Sequence, residues 1–377
     1  MRKSKKTTTK GLNRRDLLKA GAAVGAVAAS TKFSLFNINH AWSQDVHWDG
    51  QPFDAGGASV IVGEWPGFWE EFVRTNMMNE FEKTYNCKIE YDGSWPWIAK
   101  FLANGPQDPA YHTCNWNIKE MTQTARAGDF FMPVDEIKAN VPNAADCWDF
   151  AFETGIGVTW AFGQYCYVWR DDLVDPPITS FKDFWRDSLS GNRASYITSN
   201  SLQMTFFMVA SAVWGADEFD MEAGFDAMRR AMPMKVSDFT GNMQTLVERG
   251  EVHCGVQWEG EVYFQQDKDI PVQPYVWTER KPILTQTKTI SRYSDPMQKK
   301  LSLALLNETL EPSYLEKAAE VFYLRPANSK AVIPPNLAAK GVVNAASALD
   351  GLWIPDWNWY IDNDDDITET VNEILAG

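Results

Sequence analysis

From residue 58 onward the chain runs in alternating blocks of apolar and amphipathic character. Residues 58–62 form a short apolar run closed by Gly63-Glu64-Trp65-Pro66-Gly67, the pattern of a buried strand ending in a turn. Phe68, Trp69, Phe72, Val73, Met77, Phe81 and Tyr85 follow at helical spacing, with Glu70, Glu71, Arg74, Glu80 and Lys83 between them. A second strand is expected at 87–91, ended by Asp92-Gly93-Ser94-Trp95-Pro96, then a helix at 97–103 and a third strand at 111–116. Strand, helix, strand, helix, strand is the order of a parallel sheet with helices on its faces.

The pattern resumes after 158–170, a long aromatic-rich run that contains Gly163. It predicts a short helix at 181–187, a strand at 194–197 and a long apolar helix at 202–214, entered through Ser199-Asn200-Ser201. Further helices are expected at 224–232 and 242–249, and a strand at 252–258. Residues 275–289 cross back toward the first half, and from Lys299 the chain reads as helical with breaks at Pro312, Pro326, Pro334 and Pro335. The fold class is therefore α/β, and a chain of this length exceeds one ordinary core and implies two lobes. The expected division is 58–160 with 282–310 as the first lobe, 161–281 as the second, and 311–377 as C-terminal helices packed on both. Residues 44–57, rich in Gly and Asp, read as a flexible arm. The acidic run from Asp362 to Asp366 reads as a solvated loop or a helix N-terminus, where carboxylates suit the dipole.

The amino terminus is organised differently. Asn13-Arg14-Arg15-Asp16-Leu17-Leu18-Lys19 precedes the apolar run 20–29, and small residues at Ala41-Trp42-Ser43 come before Gln44. Basic region, apolar run and small-residue cleavage site read as a secretory signal over 1–43, of twin-arginine type, so the mature protein is expected in the periplasm. The apolar run is too short to serve as a membrane anchor. Removing 1–43 takes away nine Lys/Arg and one Asp, leaving 26 basic and 49 acidic residues and a formal charge of −23. That field repels nucleic acid and attracts cations. The five cysteines show no C-x-x-C, and His47, His112 and His253 have no partner at ligand spacing, so neither a metal nor a cofactor is expected. The cysteines read mostly as buried small hydrophobes, with room for one disulfide.

Several stretches resemble a known family. The strand Ala58-Ser59-Val60-Ile61-Val62 leads to Phe81-Glu82-Lys83-Thr84-Tyr85-Asn86-Cys87-Lys88-Ile89, which is similar to an F-E-K-x-T-G-x-K-V segment with Asn86 where Gly is usual. Ala127-Gly128-Asp129-Phe130-Phe131-Met132-Pro133-Val134-Asp135 resembles A-G-x-L-x-P-L-D with one insertion. Ala304-Leu305-Leu306-Asn307 through Leu310-Glu311-Pro312 and the turn Pro326-Ala327-Asn328 complete the set. Together they resemble the type II periplasmic solute-binding proteins of ABC importers, extracellular solute-binding family 1, with its spermidine/putrescine-binding members. The chain departs from the polyamine-binding members at Glu64-Trp65-Pro66-Gly67-Phe68 and at Thr278-Glu279-Arg280-Lys281-Pro282. The resemblance implies two lobes joined by hinge strands, a solute in the cleft, delivery to an ABC permease of the inner membrane, and a monomer.

In parallel sheets the loops after strand carboxyl ends line such a cleft. That rule selects Glu64 and Trp65, Asp92 with Trp95, Asn115 with Trp116, Trp160, Ser199 and Asn200, Trp258 with Glu259, and Glu279. Acids beside aromatic rings suit an organic cation, the ring attracting an ammonium and the carboxylate accepting its hydrogen bonds. The best-supported solute is an amine or polyamine. A sugar stacked on Trp faces, or a carboxylate held at the helix start after Ser199, is the alternative. G-x-S-x-G, Walker A and H-E-x-x-H are all missing from the sequence, so no catalytic residues are named, and a glycoside hydrolase is the weakest reading.

Overall fold

The structure, a computed structural model, describes residues 46–377; the signal segment 1–43 and the first two residues of the arm, Gln44 and Asp45, lie outside the described residues. Among the described residues eleven strands form one sheet: β1 (Ser59–Gly63), β2 (Lys88–Asp92), β3 (Thr113–Trp116), β4 (Val158–Arg170), β5 (Arg193–Tyr196), β6 (Lys235–Ser237), β7 (Cys254–Trp258), β8 (Val272–Val276), β9 (Lys281–Ile290) and the two-residue strands β10 (Arg325–Pro326) and β11 (Leu352–Trp353), which pair with β4 and β9. Their order is β2-β1-β3-β9-β4-β7-β5-β6, with β8 also on β4. β1 runs parallel to β2 and β3, and β5 parallel to β6 and β7. Each half is thus a parallel sheet, as the alternating blocks predict. The antiparallel pair β4 and β9 joins them, from Val158 opposite Lys288 to Gln164 opposite Ile283. All of β4 but its last residue is buried, which is why it reads as an unbroken apolar run.

Helices cover both faces. The first begins as α1 (Phe68–Val73), passes through a π-helical turn at Arg74–Met78 and continues as α2 (Asn79–Tyr85), closing on Asn86 at φ 47°. Asn tolerates that left-handed position, which explains its presence where Gly is usual. Then come α3 (Ile98–Asn104), α4 (Ile118–Ala127), α5 (Val134–Asn140), α6 (Ser201–Trp214), α7 (Met221–Ala231), α8 (Thr240–Glu248) and α9 (Glu259–Gln266). The C-terminal part supplies α10 (Pro296–Thr309), α11 (Pro312–Phe322), α12 (Pro335–Ala339), α13 (Trp357–Asp362) and α14 (Asp364–Ala376). Asp364, Asp365 and Asp366 occupy the first turn of α14, so the acidic run is a helix N-terminus. The helix expected at 181–187 is instead two 3-10 turns, Phe181–Trp185 and Asp187–Leu189.

The stretch read as a flexible arm is anchored from residue 46. Trp48 is 2% exposed, its backbone N–H donates to Asn140 Oδ1, and its indole donates to the Gln51 carbonyl. One large aromatic side chain outweighs the local Gly/Asp composition there. All five thiols are free, with Cys114, Cys166 and Cys254 buried, so no disulfide forms among them. The largest apolar cluster includes Trp97, Phe101 and Trp116 from one half of the sheet and Tyr165, Tyr167 and Phe206 from the other. A second cluster packs α1, α2 and α10 against β1.

Candidate solute site

The strand ends of the two halves meet around β9. Gln286 Oε1 accepts from Trp65 Nε1 at 2.7 Å and from Asn115 Nδ2 at 2.8 Å, and Asn115 Oδ1 accepts from Trp160 Nε1 at 3.0 Å. Trp160 stands at the register shift between Thr159 and Ala161, the kind of bulge that re-aims a side chain. Beside this network Glu64 pairs with Lys288, and Trp69 Nε1 donates to its second oxygen at 3.0 Å. Glu64, Asn115, Trp160 and Lys288 are each no more than 1% exposed, and each finds its partner within the chain.

Next to that network lies a cavity of about 280 Å³, lined among others by Trp69, Trp258, Glu261, Phe264, Gln286, Phe322 and Tyr323. It draws on the start of α1, the turn from β7 into α9, strand β9 and the end of α11. Trp258 is clamped in place by two glycines. A Cβ at Gly163 would stand 2.4 Å from its ring, and one at Gly260 would stand 2.1 Å away. Phe322 closes one wall, 4.3 Å from Trp69 between ring centroids.

Glu261 is the carboxylate of this cavity. Burial pushes its pKa up, against the hydrogen bonds of Thr240, Trp258 and Gln244 that favour its charged form. Its neighbour Glu259 is committed elsewhere. Arg325 Nε and Nη2 clasp it at 2.6 and 2.8 Å, Tyr263 donates to it at 3.1 Å, and so does the Gln164 backbone N–H. Chemically, the cavity offers aromatic faces, one acid that makes no ion pair with the described residues, and one amide.

The sequence-selected residues divide accordingly. Trp258 lines the cavity, and Trp65 and Asn115 border it through Gln286. Trp116 is buried and donates to Thr289 Oγ1 at 2.8 Å. Asp92 is held by Lys100, by Ser94 and by Tyr111, the last at 2.8 Å, and these hydrogen bonds keep its pKa well below the usual carboxylate range although burial opposes them. Trp95 is 36% exposed and packs on Trp65 and Trp97. Asn200 caps α6 through Leu202 N at 3.0 Å, and Ser199 is exposed beside it. Glu279 is exposed and accepts from Phe181 N at 2.7 Å and Tyr275 Oη at 3.1 Å. Trp69, Glu261, Phe264, Gln286, Phe322 and Tyr323 were not selected from sequence. Glu261 had a signal, since it follows the Trp258 turn on the first turn of α9.

Residues 76–345 match the family model described as bacterial extracellular solute-binding protein. The chain belongs to that family. Residues 11–31 match the twin-arginine translocation signal sequence, and the protein is exported to the periplasm by that route. The spermidine/putrescine-binding periplasmic protein of Escherichia coli strain K12 is 22% identical over 300 residues, covering 76% of this chain and 82% of that protein. An ABC transporter structure from Clostridium perfringens superposes with a TM-score of 0.71 at 19% identity, over 84% of this chain and 99% of that one. The spermidine/putrescine substrate-binding protein of Streptococcus pneumoniae gives 0.66 at 14% identity, over 85% and 100%. These likenesses show for this solute-binding protein the α/β fold of the two-lobed periplasmic binding proteins.

Proposed function

We propose that the protein is the substrate-binding component of an ABC importer, capturing a small amine or polyamine in the cavity between Trp69, Trp258 and Phe322 and handing it to an inner-membrane permease. The observation that carries the reading is Glu261, an acid set among aromatic rings that makes no ion pair with the described residues, Lys268 acting on it only from a distance. A ring face attracts an ammonium by about 0.5–2 kcal/mol, more as water is removed, and the carboxylate supplies charge and acceptors. The polyamine-binding relative from E. coli supports the same class. The lobes of the proposal are 58–160 with 282–310 and 161–281, with 311–377 packed on both. No catalytic step is part of it, and the unit of action is a monomer.

The test is a thermal-shift panel of amines, sugars and carboxylates on the purified protein. A ligand at a hundred times its Kd adds about 2.7 kcal/mol to the native state. Stabilisation by amines alone is expected; stabilisation by sugars or carboxylates alone would overturn the reading.

A further inference from the structure

We infer that the solute is an organic monocation with a quaternary or apolar-clad head, and not a linear polyamine. The inference rests on the reading of the aromatic cavity as the solute site and narrows it. Each ammonium of a polyamine needs its own acceptor once water is excluded, because a buried unpaired charge is strongly disfavoured. Among the residues that line the cavity, Glu261 is the one carboxylate.

Two acids next to cavity-lining residues, Glu64 beside Trp69 and Glu259 beside Trp258, are already neutralised from within. Glu64 is paired with Lys288, both side chains 1% exposed, and Glu259 is clasped by Arg325, the two 1% and 12% exposed. A second ammonium would have to displace an internal cation from its carboxylate partner. Lys268 supplies a further positive charge at the rim, which acts on Glu261 and raises the cost of every additional ammonium. It is exposed, with Nζ 4.0 Å from the Phe264 ring centroid, so a positive charge already stands beside one wall.

The rest of the cavity is rings. Trp69 and Phe322 lie 4.3 Å apart, and Phe264 and Tyr323 lie 6.5 Å apart, between centroids. Ring faces attract a cation without asking it for hydrogen-bond donors, which is the recognition chemistry of quaternary ammonium groups.

Isothermal titration of the purified protein with choline, putrescine, spermidine, glucose and citrate tests this. Choline is expected to bind at one site at least tenfold more tightly than putrescine or spermidine. Glu261→Gln is expected to weaken choline at least tenfold, and Trp258→Leu, which removes a ring and leaves the acid, to weaken it by a similar factor. Unchanged choline affinity in a folded form of either variant would overturn the assignment. Tighter binding of putrescine or spermidine would overturn the monocation inference and leave the cation reading standing. Binding of glucose or citrate with no response to any cation, or no binding by any compound in the panel, would overturn both.

Discussion

Lys288 and Glu64 form an ion pair in which each side chain is 1% exposed, joining the return strand β9 to the turn after β1. Removing one partner strands the other charge in a medium that cannot solvate it, at a cost of about 3–5 kcal/mol. Lys288→Met is therefore expected to lower unfolding stability by that amount in denaturant titrations. The double variant Glu64→Gln with Lys288→Met should recover a large part of the loss, and equal destabilisation by single and double variants would contradict the pairing.

Gly163 faces the ring of Trp258, where a Cβ would come within 2.4 Å. Gly163→Ala must push the indole out of position, and overpacking of this kind costs about 1–3 kcal/mol. Its expected signature is a lowered Tm together with weaker solute binding and altered tryptophan emission. A variant with native Tm and native affinity would show that Trp258 is free to move.

Glu259 has the opposite lesson to its neighbour Glu261. Read from sequence it is a ligand contact, but it holds Arg325 by two hydrogen bonds. Glu259→Ala is expected to destabilise the fold by about 3–5 kcal/mol, measured by denaturant unfolding. Loss of binding with unchanged stability would return Glu259 to the site.

Glu120, on the first turn of α4, has a buried carboxylate oxygen with no hydrogen-bond partner, and burial pushes its pKa up to about 7 although Lys119 pulls the other way. The unfolded value is near 4.5, so the native state holds the proton longer. Its favourable contribution is complete below pH 4.5 and is lost as pH rises through about 7. The difference corresponds to about 3 kcal/mol at most. Glu120→Gln should accordingly gain stability over the native protein at pH 8 and little at pH 4, as read by Tm across that range. Parallel curves at both pH values would contradict it.

The parallel halves were legible because β-strands and amphipathic helices write local periods into the chain, as at 58–62 and from Phe68 to Tyr85. The strand-end rule also selected Trp258, which lines the cavity. What it missed depends on distance along the chain. Glu64 meets Lys288 across 224 residues and Glu259 meets Arg325 across 66, so nothing local reveals that these acids are already neutralised. Phe322 and Tyr323 come from the end of α11, a helix that local periodicity assigns only to packing. Asn200 was selected as a ligand group and serves as a cap, since the same side-chain oxygen suits both roles.

The most direct test of the account is an equilibrium titration of the purified protein with organic cations, sugars and carboxylates, repeated on Glu261→Gln. Saturable one-site binding confined to cations, and weakened at least tenfold in the variant, is the predicted result. Saturable binding of a sugar or carboxylate, with no cation bound, would contradict it.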